Sequence, residues 1–106
     1  MKIYFVATCR DIKKDELGWL DYGGAHRVVG FFPDMETARK AVEENWCDLY
    51  EDGYYKYAII EEHEDGLYSI CENPVFFKWE GTIKEGGYKE IERPEATKGF
   101  FGFTIG

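Results

Sequence analysis

The chain has 106 residues, 44% of them hydrophobic and 32% charged, and a net charge of −8. That is the size and balance of one globular domain, 1–106, and it weighs against disorder. The sequence has no apolar run of about 18 residues to span a membrane. Its acidity is wrong for gripping nucleic acid or an anionic bilayer directly.

The first ten residues read as a strand rather than a signal peptide. Ile3, Phe5 and Ala7 alternate with Tyr4, Val6 and Thr8, and both sets are largely apolar, which predicts an interior strand. Residues 10–24 are charged and end in Gly23-Gly24, a loop or distorted hairpin pinned by Trp19, Leu20 and Tyr22. Ala25 to Phe32 predicts a second strand, with Gly30 marking a bulge or close approach. Pro33 stops it and Asp34 is placed to cap a helix over 35–49. Met35, Ala38, Val42, Trp46 and Leu49 form the buried stripe of that helix, and Arg39–Glu43 and Lys40–Glu44 are spaced to pair on its outer face.

Tyr55 to Glu62 predicts a third strand, Glu64-Asp65-Gly66 a turn, and Leu67 to Cys71 a fourth strand broken by Asn73-Pro74. Val75 to Trp79 and Tyr88 to Glu92 predict two more, joined through Gly86-Gly87. The tail Phe100-Phe101-Gly102-Phe103-Thr104-Ile105 is too apolar to stay in water, so it is expected to pair with the sheet or dock on the core. The predicted fold is α+β, in ββαβββ order plus a C-terminal strand. One mainly antiparallel sheet carries a single amphipathic helix on one face. The other face needs the extra strands or a second copy of the chain, so a homo-oligomer is one expectation.

The Val-Val-Gly-Phe-Phe strand, the Pro-Asp-Met-Glu-Thr-Ala helix start and the Tyr-Ala-Ile-Ile-Glu-Glu strand lie within residues 2–62. In this arrangement the chain resembles small phage and bacterial α+β domains of unknown function. The resemblance implies a small α+β domain and a mobile-element setting. It implies no reaction and brings no catalytic motif.

Residues 43–65 carry nine carboxylates against the single Lys56, a net of −8 that equals the charge of the whole chain. Asp48, Glu51, Asp52, Tyr54, Glu61, Glu62, Glu64 and Asp65 are therefore the expected partner-binding residues. Acids pair with Lys and Arg, and tyrosine adds contact area at low entropy cost. The function read from this is a non-enzymatic acidic interaction protein, a counter-defence inhibitor in its concrete form. It would occupy a basic surface of a partner such as a nucleic-acid-handling enzyme. The alternative is a nucleotide-binding sponge using Trp19, Tyr22, Arg27, Trp79 and Arg93.

Other chemistry is less well specified. Cys9, Cys47 and Cys71 with His26 or His63 contain no Cys-x-x-Cys or His-x-x-x-His pair, so no metal or cofactor is expected. Three dispersed cysteines argue for a reducing cytoplasm rather than a disulfide framework. Cys9 beside His26 lacks a nucleophile motif, and a thiol or histidine enzyme using Cys9 or His63 ranks last. Glu61-Glu62-His63-Glu64-Asp65 reads as a solvated hairpin end, without calcium-loop spacing. Gly23-Gly24 precedes a strand instead of opening a helix, so it is not expected to cradle phosphate.

Overall fold

The computed structural model describes residues 1–67, 69–100 and 102–103. Its main sheet is built from β1 (Lys2–Cys9), β4 (His26–Phe32), β5 (Tyr57–Glu64), β6 (Glu72–Glu80) and β7 (Gly87–Ile91), in the order β4-β1-β5-β6-β7. Every neighbouring pair is antiparallel. A two-residue pair, β2 (Lys13–Lys14) with β3 (Leu20–Asp21), forms a separate small hairpin. The helix α1 (Met35–Glu43) follows β4. Because β4 and β5 are both antiparallel to β1, they run the same way, and α1 carries the chain across β1 from one to the other.

The ends of α1 follow from local chemistry. Asp34 accepts a hydrogen bond from the Thr37 backbone N–H at 2.7 Å, satisfying one of the free donors of the first turn. The helix stops at Glu43, six residues earlier than its apolar spacing predicts. Asn45 takes a left-handed φ of 53°. The Trp46 N–H then reaches Ala41 O and the Asn45 N–H reaches Val42 O, which is the Schellman termination with asparagine in the glycine position. Leu49 is still buried, but from the following loop. The outer-face pairing also differs from the expectation, since Arg39 pairs with Glu90 of β7 at 2.7 Å instead of with Glu43.

Two bulges shape the sheet. The β1–β4 register shifts between Val6↔Gly30 and Ala7↔Val28, leaving Val29 unpaired next to Gly30. The β5–β6 register shifts between Ile60↔Val75 and Glu62↔Glu72, so Asn73 and Pro74 face Glu61 alone. No strand covers the described residues of 67–71. Asn73-Pro74, expected to end a strand, lies inside β6. Proline lacks the N–H for a ladder but fits a bulge, and Asn73 supplies the left-handed φ of 45°. In the β6–β7 connection, a Cβ on Gly86 would stand 2.4 Å from both Glu80 O and Trp79 Nε1, so only glycine fits.

The sheet buries side chains on both faces. Val6, Ala58, Ile60, Phe77 and Tyr88 pack under Ala38 and Val42 of α1, with the Tyr50 and Trp79 rings stacked 3.8 Å apart at the rim. On the other face Ala7, Cys9, Ile59 and Phe76 pack with Ile12 and Phe103, flanked by Leu20, Tyr22 and Phe100. This chain thus covers much of its second face itself. Of the residues expected to pin the 10–24 loop, Leu20 and Tyr22 pack on this face beside buried Ile12, whereas Trp19 is 70% exposed. The tail docks through Phe100 and Phe103. Of the expected tail from Phe100 to Ile105, positions 101, 104 and 105 lie outside the described residues, as does position 68 of the strand expected over 67–71.

Two measurements check this packing. Phe77→Ala empties a fully buried site and is expected to cost about 3–5 kcal/mol in urea unfolding, whereas Phe31→Ala stays within about 0.5 kcal/mol. The hydrogen bonds from Thr37 hold the Asp34 carboxyl below its ordinary value. Its capping contribution is therefore present at neutral pH and lost as pH falls through the lowered folded-state value. Asp34→Ala should lower the melting temperature at pH 7, and the gap from the parent should narrow in acid.

Candidate functional site

The register places the acidic residues in separate groups. Cys9 pairs with Tyr57 and Lys2 with Glu64, so residues 48–54 and 64–65 stand at opposite ends of β5. At a strand rise of about 3.3 Å per residue the two ends are roughly 23 Å apart. Salt screens charge over about 8 Å, so the groups act independently. Glu64 and Asp65 both pair with the Met1 ammonium, at 3.1 and 2.8 Å. Glu62 is buried, held by Lys2 at 3.3 Å and by the Asn73 amide at 3.1 Å. Glu61 is 1% exposed and lies on the opposite face of the sheet from Glu62. Glu61 and Glu62, expected on a binding surface, are thus structural or interior groups.

Asp48, Glu51, Asp52 and Tyr54 stay exposed on the loop after α1, together with Glu43 and Glu44. This loop has an unusual backbone: Asn45, Cys47, Asp48, Glu51 and Asp52 all have φ between 48° and 56°. Each non-glycine residue in that region costs about 1–2 kcal/mol, less for asparagine and aspartate. Side chains hold it in place. Asn45 Oδ1 accepts from the Tyr50 N–H at 3.0 Å, Glu51 pairs with Arg27 at 2.5 Å, and Trp46 Nε1 donates to Glu44 at 2.9 Å. Beside the loop a pocket of about 120 Å³ opens between α1 and the edge strand β4. Val29, Phe32, Ala41, Trp46, Cys47 and Leu49 line it, an almost wholly apolar wall.

The alternative ligand residues do not converge. Trp79 is stacked on Tyr50 on the helix side, and its indole N–H donates to Thr82 O. Tyr22 packs on the other face against His26. Arg27 lies over Tyr55, its guanidinium carbon 4.4 Å from the ring centre. Arg93 braces the tail by donating to the Thr97 and Phe100 carbonyls. Trp19 projects into solvent from the small hairpin. Cys9 is fully buried, and burial followed by the charge of Asp11 pushes its thiol up to about 12, which removes the thiolate a nucleophile needs.

A third cluster joins Glu61, expected on the surface, to His63 and Cys71, which the sequence spacing gave no reason to bring together. Glu61 Oε1 and His63 Nε2 lie 3.2 Å apart, both nearly inaccessible, and His63 Nδ1 is 3.0 Å from Ser69 Oγ. The Phe103 backbone N–H donates to Glu61 Oε2. Cys71 stands alongside, its thiol pushed up to about 12 by burial and then by the Glu61 charge. The available signal was strand alternation. Glu61 and His63 continue the face of Tyr57 and Ile59, which is interior, and the strand runs on to Glu64 because β1 needs a partner down to Lys2.

Compared with family models, curated proteins and solved structures, the chain matches none of them. Site roles therefore rest on geometry alone. Among the described residues no helix is long and apolar enough to cross a membrane.

Glu61→Ala would leave the buried Phe103 N–H without its acceptor, at an expected cost of about 1–3 kcal/mol. Hydrogen exchange should show the Phe103 amide losing protection. Glu64→Ala, which removes one exposed ion pair, should change stability by less than about 1 kcal/mol.

Proposed function

We propose that this chain is a non-enzymatic interaction protein. Its working surface is the acidic loop over 43–54 together with the apolar pocket beside it. One observation carries the reading: a loop with five non-glycine residues at left-handed φ lines an apolar cleft through Trp46, Cys47 and Leu49, and carries exposed carboxylates, Glu44 and Asp48 among them, beside those residues in sequence. Backbone strain of this kind persists only where the surroundings enforce it, and it concentrates at functional surfaces. The Tyr50–Asn45 and Arg27–Glu51 contacts supply that enforcement, so the loop enters a complex already ordered.

The chemistry of the surface supports one class of partner. Glu43, Glu44, Asp48 and Asp52 call for Lys or Arg, and the Val29–Phe32–Trp46–Leu49 wall calls for an apolar or aromatic anchor between those bases. A protein that handles nucleic acid must carry a basic face of this kind. Covering that face would inhibit it, and a mobile-element inhibitor is the concrete form of the proposal. Charge supplies steering and orientation, while the pocket supplies the desolvated contact that slows release. The reading leaves out the Glu64–Asp65 end, whose carboxylates pair with the Met1 ammonium.

The test is a tagged pull-down at two salt concentrations with three proteins: the parent, a loop variant (Glu43→Lys, Glu44→Lys, Asp48→Lys, Asp52→Lys) and an end variant (Glu64→Lys, Asp65→Lys). A basic protein that is retained by the parent and the end variant, lost with the loop variant and weakened by salt supports the proposal. Capture that the loop variant retains, with its fold intact by circular dichroism, overturns it.

A further inference from the structure

Glu61, His63 and Cys71 bring one carboxylate oxygen, one imidazole nitrogen and one sulfur within 4.8 Å of one another. The first two come from β5 and the third from the chain entering β6. We propose that these three side chains are the ligands of a zinc-class divalent cation, with the fourth position facing the small pocket under the tail. This inference is independent of the docking loop, which lies at the other end of β5.

Several features of the cluster suit a metal. The donor set is mixed O, N and S. Thiolate disfavours magnesium and calcium, and three protein ligands with one open position is a recurring zinc arrangement. A carboxylate, a thiolate and a neutral imidazole also cancel the double charge of the ion.

The surrounding groups are those a ligand shell uses. Ser69 Oγ at His63 Nδ1 can fix the imidazole so that Nε2 presents its lone pair. The Phe103 N–H on Glu61 Oε2 anchors the carboxylate and leaves Oε1 directed at His63. The Phe5 ring stands edge-on to His63 at 5.4 Å and keeps one side of the cluster dry.

Space is reserved above the ligands. Gly102 has a φ of +140°, and a Cβ there would stand 3.0 Å from Glu61 Oε1 and 3.2 Å from Cys71 Cβ. A side chain at 102 would crowd the gap between the two ligands. The pocket lined by Glu61, Cys71 and Gly102 measures about 60 Å³, above the roughly 10–15 Å³ that one water needs, so an ion and coordinating water fit. Arg93 also lines the pocket, but its guanidinium is committed to the carbonyls of Thr97 and Phe100.

A metal binds the thiolate form of Cys71. On binding, a sulfur–metal bond replaces the S–H bond and the proton passes to buffer, so affinity falls as pH falls.

The experiment strips the purified chain with a chelator and titrates it with Co²⁺, then Zn²⁺. The expected result is one Co²⁺ per chain, with a thiolate-to-cobalt charge-transfer band in the near ultraviolet that Zn²⁺ abolishes. Cys71→Ser, a near-isosteric change at a half-buried position, should remove the band. Cys47→Ser, at an exposed thiol, should leave it. Ser69→Ala should weaken binding about 10–100-fold without removing the band. Circular dichroism of each metal-free variant checks that it folds. Absence of the band in the folded parent overturns the proposal, as does a band that survives Cys71→Ser or disappears with Cys47→Ser.

Discussion

A five-stranded sheet with apolar side chains on both faces has to be covered twice, and one nine-residue helix covers it once. The rest of this structure is arranged around that shortage. β1 lies between two neighbours and is apolar on both sides, so neither face can be left to water. The helix takes the face of Val6, Ile60 and Phe77. The face of Ala7, Ile59 and Phe76 falls to what the chain has left, the short β2–β3 hairpin and the segment after β7. Among the described residues this cover is mostly irregular, and large rings do the covering. Tyr22, Phe100 and Phe103 each bury an area that several aliphatic residues would otherwise need.

Irregular cover brings a hydrogen-bonding problem that helices and sheets do not have. Backbone laid over an apolar face presents N–H and C=O groups with no ladder to join. Two side chains answer this. Arg93 donates to the carbonyls of Thr97 and Phe100, and Glu61 accepts from the Phe103 N–H. A buried carboxylate in a strand is costly alone. Here it serves as the acceptor the tail lacks, with His63 as its second partner. The polar cluster beneath the tail and the cover over the second face are therefore one construction.

Much of this was legible in the sequence where one local rule decides the outcome. The Asp34 cap, the interior character of Ile3 to Thr8 and the strands around Val28-Val29 and Phe76-Phe77 each follow from a short pattern. The errors came where a tertiary contact outweighs the pattern. The apolar spacing through Trp46 and Leu49 fits a longer helix, but Asn45 turns left-handed and its side chain then caps the loop through the Tyr50 N–H. Asn73-Pro74 reads as a break because a proline has no place in a regular ladder, and the sequence does not announce the bulge that accepts it. Glu61 and His63 read as solvent-facing because they sit in a run of acids. Their burial depends on a tail forty residues away, which no local window contains.

The charge of residues 43–65 means something different in the fold than along the chain. Summed along the sequence it is one block of −8, but strand register divides it by distance and by face. Glu62 and Glu61 point to opposite sides of the sheet, one met by Lys2 and Asn73, the other by His63 and the tail. Glu64 and Asp65 are matched by the chain's own ammonium group. In the loop after α1 Arg27 meets Glu51 and Trp46 meets Glu44, while Asp48 and Asp52 stay exposed, on a backbone held in a conformation its residues would not choose. Charge density in a sequence measures opportunity for binding. Exposure after internal pairing decides where that opportunity survives, and the surface proposed for it is the loop beside the pocket between α1 and β4.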